Sequence, residues 1–165
     1  MERPVIRNSN TIMEKVLEII LLFIVVLMVI WPICQFARLP ETVPIHINIH
    51  GDIDGYGSRI VVLVLPIVGV LLYVGLTVLQ RVPHLYNYPI EVTDDNAHLL
   101  YALGVQMIRF VKAIMIILFV YLTYSFICLA RGVKLRYSAI IIISSCAVLA
   151  IGMVYYIVKM KKLGK

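Results

Sequence analysis

The side chains able to do chemistry concentrate in one stretch, ARLPETVPIHINIHGDIDGYGSR at positions 37–59. Ile45, His46, Ile47, Asn48, Ile49 and His50 alternate apolar with polar. Strand periodicity puts His46, Asn48 and His50 on one face and the three isoleucines on the other, packed down on whatever lies beneath. Gly51, Asp52, Ile53, Asp54, Gly55, Tyr56, Gly57 and Ser58 follow as a dense turn signal. That chemistry predicts positive φ for at least one of Gly51, Gly55 and Gly57. Two imidazoles four residues apart on a strand stand about 13 Å apart, too far for one metal ion unless the strand bends. Asp52 and Asp54 resemble the start of a calcium loop, but the twelfth position is Leu63 rather than Glu. Three readings follow. His46, His50, Asp52 and Asp54 could serve a metal-dependent membrane enzyme. His46, Asn48, Asp52, Asp54, Tyr56, Ser58 and Arg59 could recognise a ligand or partner. The same groups could simply hydrogen-bond the turn and fix the loop. No metalloprotease HExxH, nucleophile motif or phosphate-binding loop occurs anywhere in the chain.

The elements that must carry this stretch are read from composition. Of 165 residues, 62% are hydrophobic and 15% charged, and the mean hydropathy is +0.98. These values exclude a disordered chain, a collagen-like chain and an ordinary soluble enzyme. About 20 apolar residues cross a bilayer, and four such runs occur, at about 16–36, 60–80, 108–130 and 138–158. The first run is longer than a signal-peptide core and ends in Trp31, Pro32 and Gln35, so it is expected to remain as an uncleaved span. The expected fold is an all-α membrane protein: four transmembrane helices with a short extracytoplasmic strand-turn loop, in a single integral membrane domain over 1–165. Cys34, Cys128 and Cys146 all lie in apolar runs, which predicts buried thiols rather than a disulfide or zinc framework.

Orientation follows from basic residues. With four spans, Arg3, Arg7, Lys15, Arg81, Arg109, Lys112, Lys159, Lys161, Lys162 and Lys165 share one side. Arg38, Arg59, Arg131, Lys134 and Arg136 share the other. Ten against five puts both termini in the cytoplasm, loop 37–59 outside and loop 81–107 inside. The net charge of +6 then records orientation, and no nucleic-acid partner is expected. Within 81–107, Thr93 suits a helix N-cap with Asp94 and Asp95 at the positive end of the dipole. The helix begun there runs on into the third span, about 35 residues and roughly 53 Å. Arg109 and Lys112 are expected where this helix enters the headgroups. The central parts of the spans carry no Asp, Glu, Lys, Arg or His, which argues against an ion-coupled transporter.

The stretch LPETVPIHINIHGDIDGYGSR resembles the signature of a domain of unknown function in the N-terminal half of SdpI-type bacterial immunity membrane proteins. The pattern is roughly L-P-x-x-[IV]-P-x-H-[FW]-[ND]-x-x-G-x-[PAI]-D-x-[YW]-[GS]-[SP]-[KR]. Leu39, Pro40, Pro44, His46, Asn48, Gly51, Asp54, Tyr56, Gly57, Ser58 and Arg59 fall on it, while Ile47 stands where an aromatic is usual. Asn87, Tyr88 and Pro89 with the helix after them are similar to the family as well. The resemblance implies a bacterial inner (cytoplasmic) membrane. The activity behind the family name is immunity to a secreted peptide toxin. Full-length members carry further spans, so the looser expectation here is an immunity-like or signalling role. The protein would be non-enzymatic, binding a peptide, envelope component or partner protein through the external loop, with a structural subunit of a membrane complex as a further alternative. No cofactor is expected, the bilayer is the certain partner, and oligomeric state stays open. The signature has its histidine at His46 and none at His50. It therefore singles out His46 as the centre of the loop, paired with Asp54 directly or through Asn48.

Overall fold

The computed structural model describes residues 3–5, 11–48, 53–133 and 138–164. Helix α1 (Ile12–Phe36) leads to an antiparallel hairpin of β1 (Thr42–Ile47) and β2 (Ile53–Ser58). A 3-10 turn, Arg59–Leu63, feeds α2 (Val64–Leu79). A second 3-10 turn, Pro83–Leu85, precedes α3 (Ala97–Ala130), and α4 (Ser138–Lys162) closes the described chain. Among the described residues, four helices are long and apolar enough to cross a membrane: Ile12–Phe36, Arg59–Leu79, Ala97–Ala130 and Ala139–Lys162. Their outer faces are apolar, with Phe23, Ile67, Leu71 and Ile151 all exposed. A protein with such a surface contacts the lipid bilayer.

Local chemistry sets the helix ends. Thr11 caps α1 through a reciprocal box: its hydroxyl accepts from the Glu14 N–H at 3.3 Å, and the Glu14 carboxylate accepts from the Thr11 N–H at 2.8 Å. The helix therefore starts at Ile12, before the first apolar run. Thr93 does not cap α3 as expected. It exchanges bonds with Asn96, whose side chain accepts from the Thr93 N–H at 2.9 Å while Thr93 Oγ1 accepts from the Asn96 N–H at 3.4 Å. Asp94 and Asp95 lie in that turn, and α3 begins only at Ala97. At the other end of α3, Gly132 takes φ 77°. Its N–H donates to Leu129, and the Val133 N–H donates to Cys128. This αL ending closes the helix on its own last carbonyls.

Three clusters stack along the bundle. At the hairpin end Leu39, Val43, Val62, Ile127 and Ala130 pack with Trp31 and Phe126. In the middle Val25, Met28 and Ile116 meet. At the opposite end Tyr88, Leu100, Tyr101, Leu103 and Met160 bind the segment before α3 to α3 and α4. Burial there pushes the Tyr86 phenol up to about 12 and raises that of Tyr88 as well. Gly152 lets α4 approach α3, because a Cβ at that position would collide with the Phe110 ring. The thiols depart from expectation: Cys34 and Cys146 are exposed on the apolar outer surface, and Cys128 is half-buried.

Candidate functional site

The hairpin is built on its first residues, not on its isoleucines. Leu39 and Val43 are buried among Val62, Ile127 and Ala130 at the tops of the helices. Ile45, expected to pack downward, is instead 43% exposed. The register explains the difference. Thr42, Val43 and Pro44 pair in step with Ser58, Gly57 and Tyr56. His46 then faces Gly55, and Ile47 faces Ile53. Ile45 is thus an extra residue on β1, and Asp54 is an extra residue on β2 that restores the step. Each bulge re-aims the side chains beside it, so simple alternation fails at Ile45. Neither Gly55 nor Gly57 has positive φ, so these two of the three turn glycines do not supply it. Their role is clearance: a Cβ on Gly57 would lie 3.1 Å from Ile45 Cδ1 and Cγ2, and one on Gly55 would lie 3.0 Å from His46 Cβ. Gly51 lies outside the described residues.

The paired bulges bring His46 and Asp54 together. His46 Nδ1 meets Asp54 Oδ1 at 2.5 Å, with both side chains well exposed. The contact is direct and needs no help from Asn48, which is half-buried at the end of β1. Tyr56 is 64% exposed on β2. The remaining residues of the expected surface secure the base of the hairpin. Ser58 Oγ accepts from the Ile60 N–H at 3.4 Å, opening the turn into α2. The Arg59 guanidinium donates to the Leu39 carbonyl at 3.2 Å and lies over the Phe36 ring at 4.8 Å. Arg59 therefore ties β2 back to the end of α1. A shallow polar depression beside them is lined by Phe36, Glu41, Thr42, Ser58, Arg59 and Ile60. His50 and Asp52 lie outside the described residues. Among the described residues, no group of three or more His, Cys, Asp or Glu is placed to hold a metal ion.

Sequence reasoning missed a second polar assembly, at the opposite end of the bundle. Arg109 and Lys112 do not reach out to headgroups. Arg109 is 5% exposed and Lys112 is fully buried. Arg109 pairs with Glu14 and lies 3.5 Å from Glu18. Lys112 Nζ donates to Glu18 at 2.5 Å and to Thr77 Oγ1 at 3.0 Å, and lies 5.0 Å from the Tyr73 ring centre. The Gln80 amide completes the set: turned as its neighbours' donors and acceptors require, its nitrogen donates to Glu18 at 3.1 Å and its oxygen accepts from Lys112 at 3.2 Å. Two carboxylates and two cations from α1 and α3 thus neutralise each other, with Thr77 of α2 supplying the hydroxyl and Gln80, at its C-cap, the amide. Buried charge survives only when paired and hydrogen-bonded. The spacing carried a signal. Glu14 and Glu18 are one helical turn apart on α1, and Arg109 and Lys112 share a face of α3.

Comparison with known proteins bears on the hairpin. Residues 23–70 match a family described as a domain of unknown function (DUF1648). The matched segment runs from α1 through the hairpin into α2. An uncharacterized protein of Archaeoglobus fulgidus is similar, 32% identical over 76 residues, covering 41% of this chain and 42% of the relative. The chain thus spans less than half the length of the relative that it matches. No solved structure matches the chain.

Proposed function

We propose that this multi-span membrane protein is non-enzymatic and recognises a peptide or envelope component through the hairpin, in an immunity-like or signalling role. One observation carries the reading. His46, Asp54 and Tyr56 stand exposed together on a hairpin whose foot is fixed to the helix ends by Leu39, Val43 and Arg59. A polar surface held firmly above a membrane bundle is pre-organised for binding, because little ordering remains to be done on contact. The basic-residue distribution supports placing this surface outside a cytoplasmic membrane, with both termini inside. The resemblance to SdpI-type proteins and the match over residues 23–70 direct attention to the same segment.

Site-specific photocrosslinking in intact cells tests the proposal. A photoreactive residue at Tyr56 is expected to give a discrete adduct that weakens in His46→Ala and Asp54→Ala backgrounds. The same group at Val154, on the exposed apolar face of α4, is expected to give none. An absent adduct, or one indifferent to both substitutions, would contradict the proposal.

A further inference from the structure

The hairpin has two strands and therefore two outer edges, and the two edges are not equivalent. The Arg59 N–H donates to the Glu41 carbonyl at 2.9 Å, so these residues form a bonded pair just below the ladder. From there the register runs unbroken through Thr42 and Ser58, Val43 and Gly57, and Pro44 and Tyr56. Bonded and non-bonded pairs alternate in an antiparallel ladder. Val43 and Gly57 therefore exchange bonds. The backbone groups of Thr42, Ser58, Pro44 and Tyr56 point away from the partner strand.

On β1 this outward edge is closed. Pro44 has no N–H to offer and is buried. On β2 the outward N–H and C=O of Tyr56 and the outward N–H of Ser58 are open. Among the described residues, no backbone bond outside the ladder reaches them. Natural proteins blunt exposed edges with Pro, Lys, bulges or a cover; β2 has its bulge at Asp54, and from Gly55 to Ser58 it carries no Pro, no Lys and no bulge. Gly55 and Gly57 leave the strand slim on either side of Tyr56.

We propose that the outer edge of β2 binds an extended peptide segment, which adds to the hairpin as a third strand. The inference rests on the reading of the hairpin as a recognition element, and it names the partner's chemistry: an extended main chain. Tyr56 would donate and accept one bond each and Ser58 would donate a third, spaced for alternate residues of the incoming strand. The Tyr56 ring and the His46–Asp54 pair flank the edge and would choose among side chains.

The test uses the purified full-length chain and a phage-displayed library of random dodecapeptides, with the recovered sequences then synthesised. Recovered peptides are expected to lose about tenfold in affinity when N-methylated at every second residue and to bind normally when methylated at the residues between. Tyr56→Pro removes the outward N–H together with the ring, and Tyr56→Ala removes the ring alone; both are expected to keep a melting temperature close to wild type, with Tyr56→Pro binding about tenfold more weakly than Tyr56→Ala. Recovery of no peptide would overturn the proposal. So would methylation effects without alternation, equal binding to Tyr56→Pro and Tyr56→Ala, or a second copy of the chain paired on this edge. Binding that is blind to N-methylation but lost in His46→Ala would retain the hairpin as the recognition element and remove the edge. The photocrosslink at Tyr56 reports on the broader reading independently.

Discussion

Two charge pairings in one chain are built for opposite purposes. The His46–Asp54 contact is solvent-exposed on both sides. An exposed pair contributes about 0–1 kcal/mol, since water screens it and the side chains lose freedom. Lys112 is fully buried, with Glu18, Thr77 and Gln80 around it. Removing one partner from such a set strands the other and costs about 3–5 kcal/mol. Thermal unfolding in detergent is therefore expected to separate them: His46→Ala within about 1 kcal/mol of the parent, Lys112→Met several-fold more destabilised. Equal effects of the two substitutions would refute this division between a displayed pair and an internal clamp. The displayed pair was legible because the family signature marks His46 and an Asp eight residues later. The clamp was not. Its partners are 94 and 95 positions apart, and at the edge of a hydrophobic run a charged residue looks the same whether it turns inward or toward headgroups.

Among the elements, the helices were legible almost to their ends, because runs of some 20 apolar residues have few other uses. The hairpin was legible as a strand and a turn but not in its packing. Alternation put the isoleucines underneath, and the extra residue Ile45 broke that alternation. A bulge leaves no mark in a hydrophobic pattern, since it depends on the partner strand. The glycines of β2 show the same dependence. Sequence suggested a need for positive φ, whereas Gly55 and Gly57 are set by the closeness of His46 and Ile45. These two positions are expected to respond differently. A methyl group at Gly55 meets His46 Cβ, which cannot rotate away, so Gly55→Ala is expected to part His46 from Asp54 and to cost about 1–3 kcal/mol. Gly57→Ala meets the Cδ1 and Cγ2 methyls of the exposed Ile45 side chain, which can rotate about χ1, and is expected to cost less. Thermal unfolding of the two variants checks the order, and a larger loss for Gly57→Ala would refute the clearance argument.

At the scale of the molecule, the structure is a bundle with one polar display and one polar clamp at opposite ends. From Glu18 to Phe36 on α1 and from Lys112 to Ala130 on α3 there are 18 residue-to-residue steps each, about 27 Å. That length matches the hydrocarbon core of a bilayer at about 30 Å. The clamp and the hairpin thus stand about one hydrocarbon thickness apart along the helices. The clamp joins the first turns of α1 and the last turn of α2 to the middle of α3, and the hairpin packs across the tops of α1 and α3. The proposed role depends on which side of the membrane the hairpin occupies, since a receptor for an arriving peptide must face outward. Single cysteines at Glu41 and Asn96, in a background with Cys34, Cys128 and Cys146 replaced by serine, decide this with an impermeant thiol reagent added to intact cells. Labelling at position 41, with position 96 reacting only after permeabilisation, is the expected result; labelling at 96 and not at 41 would contradict an outward-facing hairpin.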